Sequence, residues 1–445
     1  MTNFTRRGVL TATGGAAIAA GLSACAGTGS KPKGGGTGGS GGGGNGGGSS
    51  NTINFWSNHP GTSQATEQKL IAAFEKANPH LKVTLTNAGK NYEEVAQKFN
   101  AALAGGGLPD VVVASDVTWF NFALNNRFVD IGALFAKEGL STTDYVDGLY
   151  ADYKYDNKHY AIPYARSTVV FYYNKDVFKK AGLPDRSPTS WDEFTEWAPK
   201  LKAAIGHGKT AMILDDGSNY LDWTFQAIVW SFGGAYSKGW TPTFTDPKTI
   251  KATQLLQSWA MNGYIKTSAN SASDFSAGLG AVLLESTGDL GSFKSVPFEL
   301  GVGFVPAPGG VKCCPTGGAG VAIPSGISAD RQANAAKFVE FLTNAQSTDT
   351  FTQATGYMPV RKSALKLPDE VAYLKAHPNF KVAVDQLPYT RPQDYARVFV
   401  PGGGTSIGQA LDKIVSGSDV TSTMKGLDAT ITSAYNSQVK PKLKA

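Results

Sequence analysis

Gly404-Thr405-Ser406-Ile407-Gly408 matches G-x-S-x-G, the turn that presents a nucleophilic serine in serine hydrolases. That turn needs a buried strand feeding straight into it, and here Pro401-Gly402-Gly403 stands between. No histidine follows Ser406 within a hydrolase-like order, since His377 is the last in the chain. Ser406 is therefore expected to cap the helix that follows. Gly208-Lys209-Thr210 has the ending of a phosphate loop, but Ala203 occupies the place of its first glycine. His59, His80, His159, His207 and His377 show neither H-E-x-x-H nor paired ligand spacing. Cys313 and Cys314 are adjacent, which strains a mutual disulfide, and two thiols fall short of the four ligands of a structural zinc. They read as two small, half-buried residues in a turn beside Pro315. These residues favour binding over catalysis, with no metal and no cofactor expected. A glycoside hydrolase working through two distant carboxylates leaves no local motif and stays open.

The third cysteine has a different chemistry. Thr5-Arg6-Arg7-Gly8-Val9-Leu10 reads as a twin-arginine export signal, and Val9 to Leu22 is its weakly apolar core. Leu22-Ser23-Ala24-Cys25 resembles the bacterial lipobox, in which the signal is cut before a cysteine that carries diacylglycerol. The core is shorter than the roughly 20 residues that span a bilayer. Residues 1–24 are thus an export signal, and residues 25–51 a lipidated Cys25 followed by a Gly/Ser/Asn tether that cannot bury enough side chain to fold. The expected place of the protein is outside the cell, on the outer face of the cytoplasmic membrane.

The formal net charge of +6 includes Arg6, Arg7, Lys31 and Lys33, and no acid lies in that stretch, so the body carries only +2. No basic run follows Lys33, which argues against nucleic acid. Aromatic residues make up 11% of the chain and cluster around Tyr150–Tyr173 and Trp223–Trp240. Most such rings pack in cores, and the rest suit the C–H faces of polyols and sugars.

The elements that must position these groups open as βαβα. Ile53-Asn54-Phe55-Trp56 is a strand. Leu70, Ile71, Phe74 and Ala77 make a helix face that ends at Asn78-Pro79. Leu81 to Thr86 alternates like a strand, Val95, Phe99, Ala102 and Leu103 share a second helix face, and Val111-Val112-Val113 reads as a buried parallel strand. Strands alternating with amphipathic helices imply a parallel sheet covered on both faces. A hairpin turns at Asp156-Asn157, and Thr168 to Tyr173 is a separate β run. Ser190-Trp191-Asp192-Glu193 is a capping box. Residues from about 180 to 310 read as mainly helical, Gly317 to Pro324 as a Gly-rich strand, and Ile407 to Val439 as helical. The expectation is an α/β chain of two lobes with a ligand cleft between them. Lobe 1 takes residues 52–165 and about 318–350; lobe 2 takes 166–317 and parts of 351–445 with C-terminal helices. Hinge crossings fall near Ala165–Ser167 and Gly318–Pro324.

Several runs together carry a family likeness. They are Phe55-Trp56, Asn91-Tyr92-Glu93-Glu94, Leu108-Pro109-Asp110-Val111, Ile162-Pro163, Val170-Phe171-Tyr172-Tyr173-Asn174-Lys175-Asp176, Thr189-Ser190-Trp191-Asp192-Glu193, Gly317-Gly318, Lys337-Phe338-Val339-Glu340-Phe341-Leu342 and Thr355-Gly356-Tyr357-Met358-Pro359-Val360. The body from residue 53 resembles the extracellular solute-binding proteins of ABC importers, in the large sugar-binding class. It is most similar to the binders of glycerol-3-phosphate and glycerophosphodiesters. The resemblance implies a periplasmic-binding-protein-like fold and a monomer that passes a phosphorylated polyol or sugar to permease subunits. It also implies a site made of Tyr92, Asp116, Ser167, Ser286 or Thr287, Gly318, Tyr357 and Arg397. Hydroxyls, a glycine-freed backbone N–H and one guanidinium are donors that a phosphate needs in a closed cleft. Asp116 would accept from glycerol hydroxyls. The chain departs from the pattern at Asn219-Tyr220-Leu221-Asp222-Trp223, with Trp230 before Gly233-Gly234. There Trp223 or Trp230 could form the wall, and Asp222 would suit a polyol hydroxyl or a cationic head group. A neutral mono- or oligosaccharide is the alternative ligand.

The lipobox generates a direct test. Cys25→Ala expressed in the native host should lose lipid and accumulate as uncleaved precursor, read by cell fractionation and intact mass.

Overall fold

In a computed structural model, residues 51–58, 62–307 and 313–443 are described; the export signal, Cys25 and the tether lie outside them. One ten-stranded sheet runs in the order β10 (Ile265–Ser268), β7 (Thr210–Asp215), β11 (Gly280–Ser286), β6 (Ile162–Asn174), β13 (Cys314–Ala322), β3 (Val111–Ser115), β1 (Thr52–Ser57), β2 (Lys82–Asn87), with β12 (Leu300–Gly303) also on β6 and β14 (Thr390–Arg391) also on β13. Its first part is β1 (Thr52–Ser57), β2 (Lys82–Asn87) and β3 (Val111–Ser115), all mutually parallel where they pair. The helices Thr62–Ala77 and Tyr92–Gly105 connect them, as the alternation of patterns predicts. A short hairpin, β4 (Lys154–Tyr155) and β5 (Lys158–His159), turns on Asp156 and Asn157, both at positive φ as a tight primed turn requires.

The two separate β runs expected around Ile162 and Thr168 form one strand, β6 (Ile162–Asn174), whose thirteen residues are all buried. Residues Ile162 to Thr168 pair antiparallel with β13 (Cys314–Ala322). Val169 to Tyr173 pair instead with β11 (Gly280–Ser286), and β12 (Leu300–Gly303) takes the other edge. The strand therefore changes neighbours near its middle.

It also changes cores there. Ile162, Tyr164 and Ala165 pack with Ile53, Phe55, Phe74 and Phe338, whereas Val169, Phe171 and Tyr173 pack with Trp191, Phe194, Trp223 and Trp259. Between the two apolar sets lie three buried polar residues, Arg166, Ser167 and Thr168. The sheet continues past β11 through β7 (Thr210–Asp215) and β10 (Ile265–Ser268), which run parallel to one another. A small hairpin, β8 (Ser237–Lys238) with β9 (Thr241–Pro242), and the two-residue β14 (Thr390–Arg391) complete the strands.

The expectation of a mainly helical stretch over 180–310 is corrected: β7, β10, β11 and β12 all fall in it. Thr210–Asp215 is buried along its whole length, and so short an apolar run cannot be told from a buried helix segment by periodicity. The capping box holds, since Ser190 accepts from the Glu193 N–H at 3.1 Å. Ser406 does not cap a helix. It lies inside the first turns of Gly403–Val415, whose cap position is Gly402 at φ 72°. Cys314 begins β13 and is buried rather than lying in a turn; both described cysteines are free thiols. The helices Gly403–Val415 and Val420–Ala434 pack into the second core, and the residues after them bring Val439 into a third cluster with Phe99, Phe120 and Val112, on the other face of β3 from the first core.

Among buried groups, Glu67 has a consequence for stability. Its Oε1 accepts from Ser57 Oγ at 2.7 Å and from the Tyr164 hydroxyl at 3.0 Å, and burial pushes its carboxyl from an ordinary 4.5 up to about 8. The folded chain thus keeps a proton that the unfolded chain releases above about pH 4.5, so stability falls as pH rises from there to about 8. Glu67→Gln preserves the acceptor for both hydroxyls. The variant should gain on the order of 2–3 kcal/mol over wild type at alkaline pH. In thermal melts the gain should vanish as the pH approaches the ordinary carboxylate range.

Candidate functional site

A cavity of about 270 Å³ opens where β6 and β13 pass between the two cores. Eight of the ten candidate ligand-binding residues line it: Tyr92, Asp116, Ser167, Trp223, Ser286, Gly318, Tyr357 and Arg397. Tyr92 is delivered by the first turn of its helix, which Asn91 caps by accepting from the Glu94 N–H at 2.9 Å. Asp116 follows β3, and its N–H is held by the Gly318 carbonyl at 3.2 Å. Ser167 stands opposite Gly317 in the β6–β13 register. Tyr357 follows Gly356, which ends its helix at φ 95°. The Tyr357 ring lies so close over Gly288 that a Cβ there would meet it at 2.7 Å. Tyr92 and Tyr357 share a hydrogen bond across the cavity.

The two glycines of β13 are there for space. A Cβ on Gly317 would sit 2.3 Å from the Trp223 indole, and one on Gly318, at φ 85°, would sit 2.0 Å from the Ala165 carbonyl oxygen. The indole thereby lies flat against the crossing strand and donates Nε1–H to the Thr316 carbonyl at 3.1 Å. Trp230, the other candidate wall, is not among the lining residues. Its Nε1–H goes to Asp394 at 3.0 Å and the Arg391 guanidinium covers its ring at 3.7 Å.

Arg397 is the charged centre. It is buried in the short helix Tyr395–Val398, with Nε 2.7 Å from Asp222 Oδ2 and Nη1 3.8 Å from Asp116 Oδ2. Nη1 also donates to Gln393 Oε1, and Gln393 Nε2 donates in turn to Asp116 and to the Thr316 carbonyl, the latter at 2.6 Å. No hydrogen bond from Nη2 occurs among the described residues, and Nε, although it forms the ion pair with Asp222, has no partner in hydrogen-bond geometry. Burial pushes the carboxyls of Asp116 and Asp222 up, and Arg397 pulls both down. Asp222 is therefore not a wall of the main cavity: it stands behind the guanidinium, and Gly404 leaves room for it there. Thr287 is displaced from the site as well. It is buried, and its hydroxyl accepts from the Thr168 N–H at 3.3 Å, so that Ser286 alone of that pair faces the cavity.

The sequence reading missed an acidic wall. Glu285 and Asp289 also line the cavity, and Asp215 lies close to both. Ser271 bridges the group, donating to Asp215 at 2.6 Å and approaching Glu285 at 3.3 Å, while Asn219 donates to Asp215 at 3.0 Å. Burial and the neighbouring Asp215 push Asp289 up to about 7. Glu285 directly precedes Ser286, yet a single acid at a strand end gives no signal. Lys90, Asn58 and Tyr220 of the lining were missed likewise, as was Gln393, which stands four residues before Arg397 and accepts from it. No cluster of potential metal ligands occurs among the described residues.

A second cavity of about 360 Å³ adjoins the first. Val117, Asn219, Tyr220 and Arg397 belong to both walls. Its own lining includes Asn91, Glu93 and Gln97 from the helix of Tyr92, together with Asp222 and Thr405. The joint arrangement presents hydroxyls, one guanidinium and several carboxylates in a narrow cleft, which is the equipment for holding a small polar solute by many hydrogen bonds.

Comparison with known proteins places this cleft in context. A sequence profile of the bacterial extracellular solute-binding proteins matches residues 69–382. The sn-glycerol-3-phosphate-binding periplasmic protein UgpB of Salmonella typhimurium is 27% identical over 363 residues, 76% of this chain and 82% of that one. Its namesake in Escherichia coli K12 has the same identity and coverage, 27% over 363 residues. UgpB from Mycobacterium tuberculosis, solved in complex with glycerophosphocholine, is 47% identical with a TM-score of 0.85, covering 87% of this chain and 99% of that one. The GacH receptor of Streptomyces glaucescens, at 23% identity and a TM-score of 0.74 over 87% of this chain and 98% of its own, shares the two-lobe fold. With a profile match running through both cores, the chain belongs to the bacterial extracellular solute-binding proteins.

Proposed function

We propose that this protein is the lipid-anchored receptor of an ABC importer, and that it captures glycerol-3-phosphate or a glycerophosphodiester by closing two lobes around it. The observation that carries the reading is the convergence on one cavity of Tyr92, Ser167, Ser286, Gly318 and Tyr357 with Arg397, whose Nη2 is free of protein acceptors among the described residues. A guanidinium with an open edge beside hydroxyl donors is suited to two oxygens of one phosphate. The similar chain from Mycobacterium tuberculosis, in its complex with glycerophosphocholine, supports the same ligand class.

Electrostatics chooses within that class. Arg397 already has two carboxylate partners, and Lys90 is the one other Lys or Arg that lines the cavity among the described residues, so a dianionic monoester would meet little unpaired positive charge. A diester carries one negative charge, and a zwitterionic diester none in sum. The diester is therefore the preferred ligand. A neutral saccharide is the second reading, favoured by the Trp223 face and the same acidic wall.

Isothermal titration separates them. Arg397→Ala should weaken phosphodiester binding by on the order of 2–5 kcal/mol, because a desolvated phosphate loses its charge partner. Arg397→Lys should also weaken it, since an ammonium does not reproduce the planar fork. Undiminished binding of glycerophosphocholine by Arg397→Ala, or wild-type binding of maltose alone, would turn the assignment to the saccharide. Saturating ligand should also shrink the radius of gyration in small-angle scattering. An unchanged curve would mean that the crossings do not act as hinges.

A further inference from the structure

We propose that a third cavity, of about 580 Å³ and away from Arg397, is a binding site for a phosphate group, free or carried on a lipid. The site is independent of which solute fills the main cleft. Its volume falls within the roughly 300–1,000 Å³ that small-molecule sites occupy. It adjoins the second cavity along Ala96, Asn100, Thr118 and Gly402, and of the first cavity's lining it shares Val117 alone. Charge separates it from both. Asp116, Glu285 and Asp289 line the first cavity and Glu93 and Asp222 the second, whereas no Asp or Glu of the described residues lines the third. Two cations do, Arg127 and Lys442.

The chain holds both groups in place without neutralising them. The helix Trp119–Leu124 ends in a turn through Asn125 and Asn126, the latter at φ 56°. After it, the Arg127 N–H donates to the Phe122 carbonyl at 2.8 Å, and the Arg127 carbonyl accepts from the Ser325 N–H at 3.0 Å. The backbone is thus fixed on both sides, while the guanidinium makes no hydrogen bond or ion pair among the described residues. Lys442 arrives from the far end of the chain and donates to Asn125 Oδ1 at 3.0 Å. Asn125 Nδ2 in turn donates to the Asn121 carbonyl at 2.6 Å. A neutral amide therefore aims the ammonium and leaves its charge uncancelled. The side-chain amides of Asn100, Asn121 and Gln438 also line the cavity, and none is bonded to another described residue. One planar fork, one ammonium and neutral donors together match the several oxygens of a phosphate. Leu103, on the face of the helix Tyr92–Gly105 that carries Asn100, and Phe122 add the apolar surface that a lipid's glycerol would cover.

Mass-spectrometric acetylation of lysines in the full chain tests this, with Lys440, which does not line the cavity, as internal reference. Inorganic phosphate replacing chloride at equal ionic strength should slow acetylation of Lys442 at least about threefold once it exceeds about twice its Kd. Vesicles of phosphatidylcholine with phosphatidylglycerol, set against phosphatidylcholine alone, supply the second arm. Protection by phosphate only assigns a free anion, and protection by phosphatidylglycerol only assigns a head group; either or both supports the site. Arg127→Ala should abolish the protection and Arg397→Ala should leave it, with thermal melts showing that both variants are folded. Protection in neither arm would overturn the proposal, as would equal slowing of Lys440 or protection that survives Arg127→Ala. Protection lost in Arg397→Ala would place the anion in the main cleft and overturn it too.

Discussion

The structure depends on how closely β13 can approach β6. Gly317 and Gly318 remove two side chains at the point where the crossing strands, the Trp223 indole and the Ala165 carbonyl compete for the same volume. Because no Cβ intrudes, the indole can lie on the strand and bond to the Thr316 carbonyl, and Gln393 can reach the same carbonyl. Gln393 in turn orients Asp116 and Arg397. The charged centre is thus fixed through backbone groups of the crossing strand rather than by salt bridges alone. Any side chain at either glycine would have to push the two lobes' elements apart before it touched a ligand.

Charge is the second constraint. A buried guanidinium is costly unless it is paired and hydrogen-bonded. Asp222 and Asp116 neutralise Arg397 and Gln393 accepts from its Nη1, which lets it stay inside the protein and still line the cavity. The other acids have no such partner. Asp215, Glu285 and Asp289 crowd together with Ser271 and Asn219 as donors, and burial raises all three. Such a group retains a proton near neutrality and so can donate as well as accept, a useful property next to a hydroxylated ligand.

Local chemistry was legible in the sequence wherever a single residue type has one physical use. Ser190 caps its helix, Asp156-Asn157 turns its hairpin, and the apolar Val111 run is a buried parallel strand, as their side chains demand. The site was legible to the extent that a family pattern aligned Tyr92, Asp116, Ser167 and Arg397, which are distant in the chain and share one cavity. What escaped was relational. Asp222 and Trp223 are neighbours in sequence, yet a helix turns one behind Arg397 and the other onto the cavity wall. The continuity of β6 was hidden by Arg166-Ser167-Thr168, a polar interruption that reads as a loop until Arg166 is seen bonded to Tyr153 at 2.7 Å and paired with Asp152. The strands over 210–303 were hidden by being short, with buried apolar middles that show no alternation.

The path of the chain has a mechanical consequence. The described body begins with β1 in the first core, and after the last long helices Val439 joins the cluster of Phe99 and Val112 on the other face of the same lobe's sheet. Both ends therefore load the same lobe. A leash attached ahead of Thr52 would transmit drag from the membrane into the sheet of that lobe only, and the second lobe would hang from it through β6, β13 and the C-terminal segments. Were the second lobe to turn about those strands, the point of attachment would stay with the first.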